Sequence, residues 1–228
     1  TGKPKGILNS HRGVTIQAWR WPRLLAMQDD DAVRGWGANG FFWSGAFVQT
    51  VGATLSSGGT LILQPTFNSE TALKLIKRER VSYIVAWPHQ SAQLVEASGW
   101  AEADLSSLRF VDHGSALAKH ATVQTAWREP RAAYGSTETF TLSTCFPSGT
   151  TLEVAGSSHG VPLPGNTIRI VDPITGRTLP LGEAGEIAVK GPTLMLGYIG
   201  DPLTETLDEE GYFRTGDGGD MEDQGRLF

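Results

Sequence analysis

Gly58-Gly59-Thr60-Leu61-Ile62-Leu63-Gln64-Pro65, the run from Ser69 to Arg80, and Val81-Ser82-Tyr83-Ile84-Val85-Ala86 ahead of Pro88 together decide the fold. The first is a short apolar run framed by glycine and proline, which reads as a buried strand. The second places Leu73, Ile76 and Lys77 at helical spacing behind Ser69, a residue type that starts helices. The third is rich in β-branched residues and stops at a proline, so it reads as a second strand. Working outward, Gln90 to Ser98 reads as a short helix ended by Gly99, and Leu108-Arg109-Phe110-Val111 as a third strand running into His113-Gly114-Ser115-Ala116. Leu117 to Trp127 reads as a helix and Arg131-Ala132-Ala133-Tyr134 as a strand. Strand and helix in alternation predict βαβ units, hence an α/β fold with a mainly parallel sheet and flanking helices.

Past about Thr150 the alternation stops. Thr167-Ile168-Arg169-Ile170-Val171 and Gly185-Glu186-Ile187-Ala188-Val189-Lys190 read as strands, with Asp172-Pro173 and Leu181-Gly182-Glu183 as turns between them. The expected organisation is an α/β subdomain over residues 1–149 followed by a smaller β-rich, barrel-like subdomain over 150–228.

Composition narrows the function classes. The 28 glycines in 228 residues exceed the usual share of about 7% and favour tight turns and close backbone approach to a ligand. A net charge of −5, with no block of Lys or Arg, gives no electrostatic case for nucleic acid. The one cysteine, Cys145, excludes an internal disulfide framework and a multi-cysteine zinc site, and reads as a small core residue. No apolar run approaches the ~20 residues of a membrane span, and no secretory leader is visible. A cytoplasmic protein is the expectation.

In open α/β sheets, ligands bind beyond the carboxyl ends of the strands. Two loops of small residues fall at such ends: Gly114-Ser115-Ala116 and Gly135-Ser136-Thr137-Glu138. Beside them Tyr134 offers an aromatic face for a purine, Thr137 a hydroxyl for a phosphate, and Glu138 a hard oxygen for Mg²⁺. Taken alone, the second loop reads equally well as a turn capped by its own hydroxyls. Thr1-Gly2-Lys3-Pro4-Lys5-Gly6 is not a Walker loop, because Pro4 stands where that motif needs Ser or Thr. It reads either as a surface turn or as a glycine-bearing loop suited to the outer phosphates of a nucleotide. Asp29-Asp30-Asp31 reads as a solvated turn, and His113 either faces a ligand or is a hydrogen-bonded core histidine.

The order of Thr1 to Gly6, Gly114 to Ala116, Tyr134 to Glu138, Gly185-Glu186-Ile187, Gly197-Tyr198 and Tyr212-Phe213-Arg214-Thr215-Gly216-Asp217 resembles the AMP-forming adenylating enzymes. These comprise acyl-CoA synthetases, adenylation domains of nonribosomal peptide synthetases, and luciferases. Pro4-Lys5-Gly6-Ile7 running into Ser10-His11, and Gly160-Val161-Pro162, add to the likeness, which spans the chain. The resemblance implies that a carboxylic acid is activated by ATP as an acyl-adenylate and passed to CoA, with Mg²⁺ bound. It implies Thr1, Gly2 and Lys5 around the β- and γ-phosphates, and Gly114, Ser115 and Ala116 lining the adenine and acyl pocket. It also implies Tyr134 against adenine with Gly135 and Ser136 beside it, Thr137 at the α-phosphate as a catalytic group, Glu138 as the catalytic metal ligand, and Asp217 on the ribose. Without it, Asp217 reads as a solvated turn acid.

Phe41-Phe42-Trp43-Ser44-Gly45 stands where acyl-CoA synthetases often carry a residue gating the acyl pocket, so Phe42, Trp43 and Gly114 are expected to line it. A core helix start is the other reading. Peptide-synthetase domains usually show Phe-Asp-x-Ser there, and no acid stands at that position. The expected protein is an acyl-CoA ligase acting on an amine-free acid. An amino-acid adenylation domain and a non-catalytic nucleotide-binding remnant are the alternatives. The chain ends imply a piece of a longer enzyme, cut within its first phosphate loop and before a C-terminal domain carrying a catalytic lysine, and nearly inactive by itself.

Overall fold

The computed structural model of the chain describes residues 5–27, 32–200 and 206–228. In chain order its strands and α-helices are β1 (Ile7–Leu8), α1 (His11–Leu24), β2 (Arg34–Gly37), α2 (Ser44–Ala46), α3 (Ala53–Ser56), β3 (Thr60–Ile62), α4 (Ser69–Glu79), β4 (Tyr83–Val85), α5 (Pro88–Val95), β5 (Arg131–Ser136), β6 (Thr141–Phe146), α6 (Leu152–Ala155), β7 (Val161–Pro162), β8 (Thr167–Val171), β9 (Gly185–Lys190), β10 (Gly197–Tyr198) and β11 (Phe213–Gly219). A π-helical stretch, Phe47–Gly52, joins α2 to α3. They form two compact units: one takes residues up to Gln17 with Arg131–Phe146 and Thr150–Phe228, the other Ala18–Pro130 with Pro147–Gly149.

The unit containing Ala18–Pro130 is built on a parallel sheet of order β3-β2-β4. Thr54 and Thr50 lie under β2 so closely that a Cβ on Gly35 would come within 1.8 Å of Thr54 Oγ1, and one on Gly37 within 2.5 Å of Thr50 Oγ1. Glycine at those two positions therefore sets how near the helical segment can lie. Helix α4 starts at an Asn68 cap whose side chain accepts from Thr71 N at 2.9 Å, and ends at Arg80 in the left-handed conformation (φ 49°). Its Ala72, Leu73, Leu75 and Ile76 face inward with Trp36, Leu94, Leu105 and Leu108. Full burial of each leucine or isoleucine contributes about 1.5–3 kcal/mol.

In the other unit three antiparallel sheets replace the parallel one: β5-β6-β7, β11-β9-β8, and the pair β1-β10. Alternation puts Ile168 and Ile170 opposite Val189 and Ile187, and these four form a core with Leu227. Asp172 Oδ1 accepts from Ile174 N and Thr175 N, and Gly182 (φ 81°) turns the chain near Glu183, so both expected turns are present. Cys145 is the buried core residue expected of it. Its thiol is pushed up to about 12 by burial.

The α/β class holds, and four expectations are corrected. The sheet is parallel only through β3-β2-β4, because β5 turns back on β6 instead of joining it. The β-rich part forms separate small sheets, with no closed barrel among the described residues. Leu108–Val111 contributes only a bridge, Tyr83 to Phe110. The helix expected over Leu117–Trp127 is a single 3-10 turn, Leu117–Lys119. Beyond it the side chains claim the backbone: His120 is buried with its ring nitrogens at Thr122 Oγ1 and Trp100 O, and Thr125 Oγ1 bonds Arg109 O. Among the described residues, no helix is long and apolar enough to cross a membrane.

Candidate active site

Strand β5 ends in Tyr134-Gly135-Ser136, and the chain turns through Thr137-Glu138 before returning as β6. The turn is tight because Gly135 leaves room for it: a Cβ there would sit 1.7 Å from Thr141 O. Thr139, buried, holds it from within. Its hydroxyl accepts from Ser136 N at 3.0 Å and lies 3.1 and 2.9 Å from the carbonyls of Ser136 and Thr141. The return passes through Phe140 (φ 47°) and Thr141 (φ 85°), left-handed conformations that cost a non-glycine residue about 1–3 kcal/mol each. This arrangement presents Thr137 to solvent and leaves Glu138 half-buried.

Glu138 is held from two sides. Its carbonyl accepts from Met195 N at 2.7 Å, and its Oε1 accepts from the Tyr198 hydroxyl at 2.9 Å. Burial, then the bond to Glu138, pushes the Tyr198 phenol up to about 12, so it stays a donor at neutral pH. The Lys5 ammonium lies 4.7 Å from the centre of the Tyr198 ring, within cation–π range.

Asp217 stands on a bulge of β11, where the pairing with β9 shifts register between Arg214 and Gly218. The bulge is fixed by Glu186, which pairs with Arg214 and accepts from Gly216 N at 3.0 Å, and by Thr215 Oγ1 bonded to Ile187 O at 2.9 Å. Gly216 supplies the positive φ the bend requires. The exposed Asp217 carboxylate accepts through Oδ2 from the Tyr134 hydroxyl at 2.7 Å. Burial raises the Tyr134 phenol, keeping it protonated.

The structure therefore brings Tyr134, Gly135, Ser136, Thr137, Glu138, Lys5 and Asp217 into one unit and ties Tyr134 to Asp217. Thr1 and Gly2, like Asp29-Asp30-Asp31, lie outside the described residues. Gly114, Ser115 and Ala116 belong to the other unit. There the Asp112 carboxylate pins their loop, accepting from Gly114 N at 2.8 Å and Glu129 N at 3.1 Å. His113 is exposed; the buried core histidine is His120. Phe42 is 96% exposed, and the stretch does start a helix with a buried side, α2 from Ser44 with Gly45 and Ala46 inside, while Trp43 stacks on Trp87 with ring centres 5.2 Å apart.

Reading the residues missed the parts played by Asp112, Trp87, Glu186 and Tyr198. Glu186 and Tyr198 lie in Gly185-Glu186-Ile187 and Gly197-Tyr198, stretches whose order was informative without indicating what either side chain touches. Among the described residues no three His, Cys, Asp or Glu side chains group as a metal site.

The profile of a family described as AMP-binding enzyme matches residues 1–199. Indoleacetate–CoA ligase of Aromatoleum aromaticum is 32% identical over 232 residues, covering 100% of this chain and 45% of that protein. 4-Coumarate–CoA ligase of Pinus taeda is 29% identical over 243 residues, covering 100% and 44%. The chain spans about half the length of the curated relatives it matches. Among solved structures, ATP-bound MatB from Rhodopseudomonas palustris superposes with a TM-score of 0.73 at 24% identity, covering 100% of this chain and 45% of that one. That likeness shows the fold.

Proposed function

The chain belongs to the AMP-binding enzyme family, and on that premise we propose that the protein activates a carboxylic acid with ATP and transfers the acyl group to CoA. The acid's carboxylate oxygen attacks the α-phosphorus and pyrophosphate leaves, giving a mixed anhydride with AMP. The CoA sulfur then attacks the acyl carbon, its proton is lost, and AMP departs.

The observation that carries the reading is the 2.7 Å bond between Tyr134 and Asp217, which joins two motifs 83 residues apart. One nucleotide needs both: an aromatic face for its base and an acceptor for its ribose hydroxyls. Asp217 Oδ2 is taken by Tyr134, leaving Oδ1 for a hydroxyl. Thr137, exposed at the turn, donates to the α-phosphate as charge grows there, and Lys5 serves the outer phosphates.

Glu138 fits a Mg²⁺ ion. Its Oε1 is held by Tyr198, and Oε2 has no hydrogen-bond partner among the described residues. A single carboxylate suits a cation that keeps several waters and shares substrate phosphates. When bound, Mg²⁺ offsets the repulsion between two anions that must meet.

We assign the substrate to aryl-bearing acids without an amino group. The relatives' substrates by name, indoleacetate and 4-coumarate, are of that kind, and no acid stands in Phe41-Phe42-Trp43-Ser44-Gly45 to pair with a substrate amine.

The test is ATP–pyrophosphate exchange by the full-length protein with aryl, fatty and amino acids, followed by AMP release with and without CoA. Exchange with aryl acids and CoA-dependent AMP release are expected. Exchange restricted to amino acids overturns the assignment in favour of a peptide-synthetase adenylation domain, and no exchange with any acid overturns it outright. Within the same assay, Asp217→Ala should raise KM for ATP roughly 10- to 100-fold, the equivalent of a lost charged hydrogen bond of about 1.5–3 kcal/mol. Because Asp217 is exposed, the melting temperature should stay close to wild type.

A further inference from the structure

Residues 195–199 make contacts in two directions. Met195 N bonds Glu138 O at 2.7 Å, and the Tyr198 hydroxyl bonds the Glu138 carboxylate at 2.9 Å. In alternation with these, Leu196 N bonds Leu8 O at 2.6 Å and Ile199 N bonds Gly6 O at 2.8 Å. The segment is thus bonded on one side to the turn carrying Glu138 and on the other to the strand that continues from Lys5. Strand β10 pairs with β1 in the register Ile7 to Tyr198 and Leu8 to Gly197. Tyr198 repeats this in its side chain, with the hydroxyl on the anionic partner and the ring face under the Lys5 ammonium.

A carboxylate on a turn can rotate about its side-chain bonds, and a metal-binding oxygen has to be aimed. A hydroxyl bonded to one oxygen fixes the plane of the other. We propose that Tyr198 is a positioning residue that orients the Glu138 carboxylate through its hydroxyl and the Lys5 ammonium through its ring, setting the cation-binding and phosphate-binding groups together. This rests on the reading of Glu138 as the Mg²⁺ ligand and deepens it. The two functions separate by atom: phenylalanine keeps the ring and loses the hydroxyl, and leucine loses both.

The test is calorimetric titration of the full-length protein with ATP, in Mg²⁺ and in EDTA, for wild type, Tyr198→Phe and Tyr198→Leu. In Tyr198→Phe the gain in ATP affinity conferred by Mg²⁺ should shrink about 10-fold, the usual effect of removing a bond behind a metal ligand, while affinity in EDTA is unchanged. Tyr198→Leu should lose affinity in EDTA as well. In a Glu138→Gln background, Tyr198→Phe should have no further effect on the Mg²⁺ response, since it acts through that carboxylate. A wild-type Mg²⁺ response in Tyr198→Phe overturns the inference. So does an equal loss with and without Mg²⁺ accompanied by a lower melting temperature, which marks a purely structural residue. If wild type itself shows no Mg²⁺ dependence, the metal reading of Glu138 fails, and this inference with it. A wild-type response in Tyr198→Phe with an impaired one in Glu138→Gln sinks this inference alone, whereas a wild-type response in Glu138→Gln sinks the metal reading and this inference with it.

Discussion

Two loops of this chain look alike in sequence and are held in opposite ways. Gly114-Ser115-Ala116 and Gly135-Ser136-Thr137 each follow a strand-like run and consist of small residues. The first is shaped by a side chain: Asp112 bonds Gly114 N, and a Cβ on Gly114 would meet only the Asp112 Oδ1 atom, at 3.1 Å. The second is shaped by the backbone, since a Cβ on Gly135 would lie 1.7 Å from Thr141 O and 2.7 Å from Thr141 C. A side chain can yield, whereas a paired strand cannot without breaking its register. Glycine is thus a convenience in one loop and a requirement in the other.

Three substitutions bear on this contrast, each read by thermal unfolding. Gly135→Ala should have the largest effect. It forces β5 and β6 apart and should cost about 3 kcal/mol, or roughly 6–12 °C of melting temperature for a chain of this size. Asp112→Ala should be intermediate, at about 1–2 kcal/mol, because it removes the acceptor of two backbone N–H groups. Gly114→Ala should be smallest, within about 0.5 kcal/mol, because Asp112 can shift. Equal losses at Gly114 and Gly135 would erase the distinction, and a neutral Gly135→Ala would reverse it. A Gly114→Ala cost that disappears in the Asp112→Ala background would sharpen it by identifying the single atom concerned.

How much of the candidate site could be read from the residues follows from the same contrast. Tyr134, Thr137 and Glu138 were legible as chemistry because their types suit a base, a phosphate and a metal, whereas Asp217 read as a turn acid until the resemblance assigned it to a ribose. Their supports were not. Glu186 holds the Asp217 bulge through Gly216 N and Arg214, contacts 30 and 28 residues away. Tyr198 reaches Glu138 across 60 residues. No local pattern encodes such pairings, because they depend on which strands lie together. The missing helix after Leu117 has a different cause. Its apolar spacing is real, and Leu117 and Val123 do enter the core, but His120, Thr122 and Thr125 offered the backbone better partners than the next helical turn.

By itself the sequence determined the α/β alternation from Thr60 to Pro88, the ends of α4, the strands β8 and β9, and the order of nucleotide-type motifs. These rest on periodicity, caps and residue chemistry, all local properties. Only the tertiary structure decided that β5 folds back antiparallel on β6, that the β-rich part stays as separate sheets, and that Tyr198 stands between Lys5 and Glu138. Strand neighbours are chosen by close packing and by backbone hydrogen bonds between distant segments. The local pattern is the same whichever neighbour is chosen.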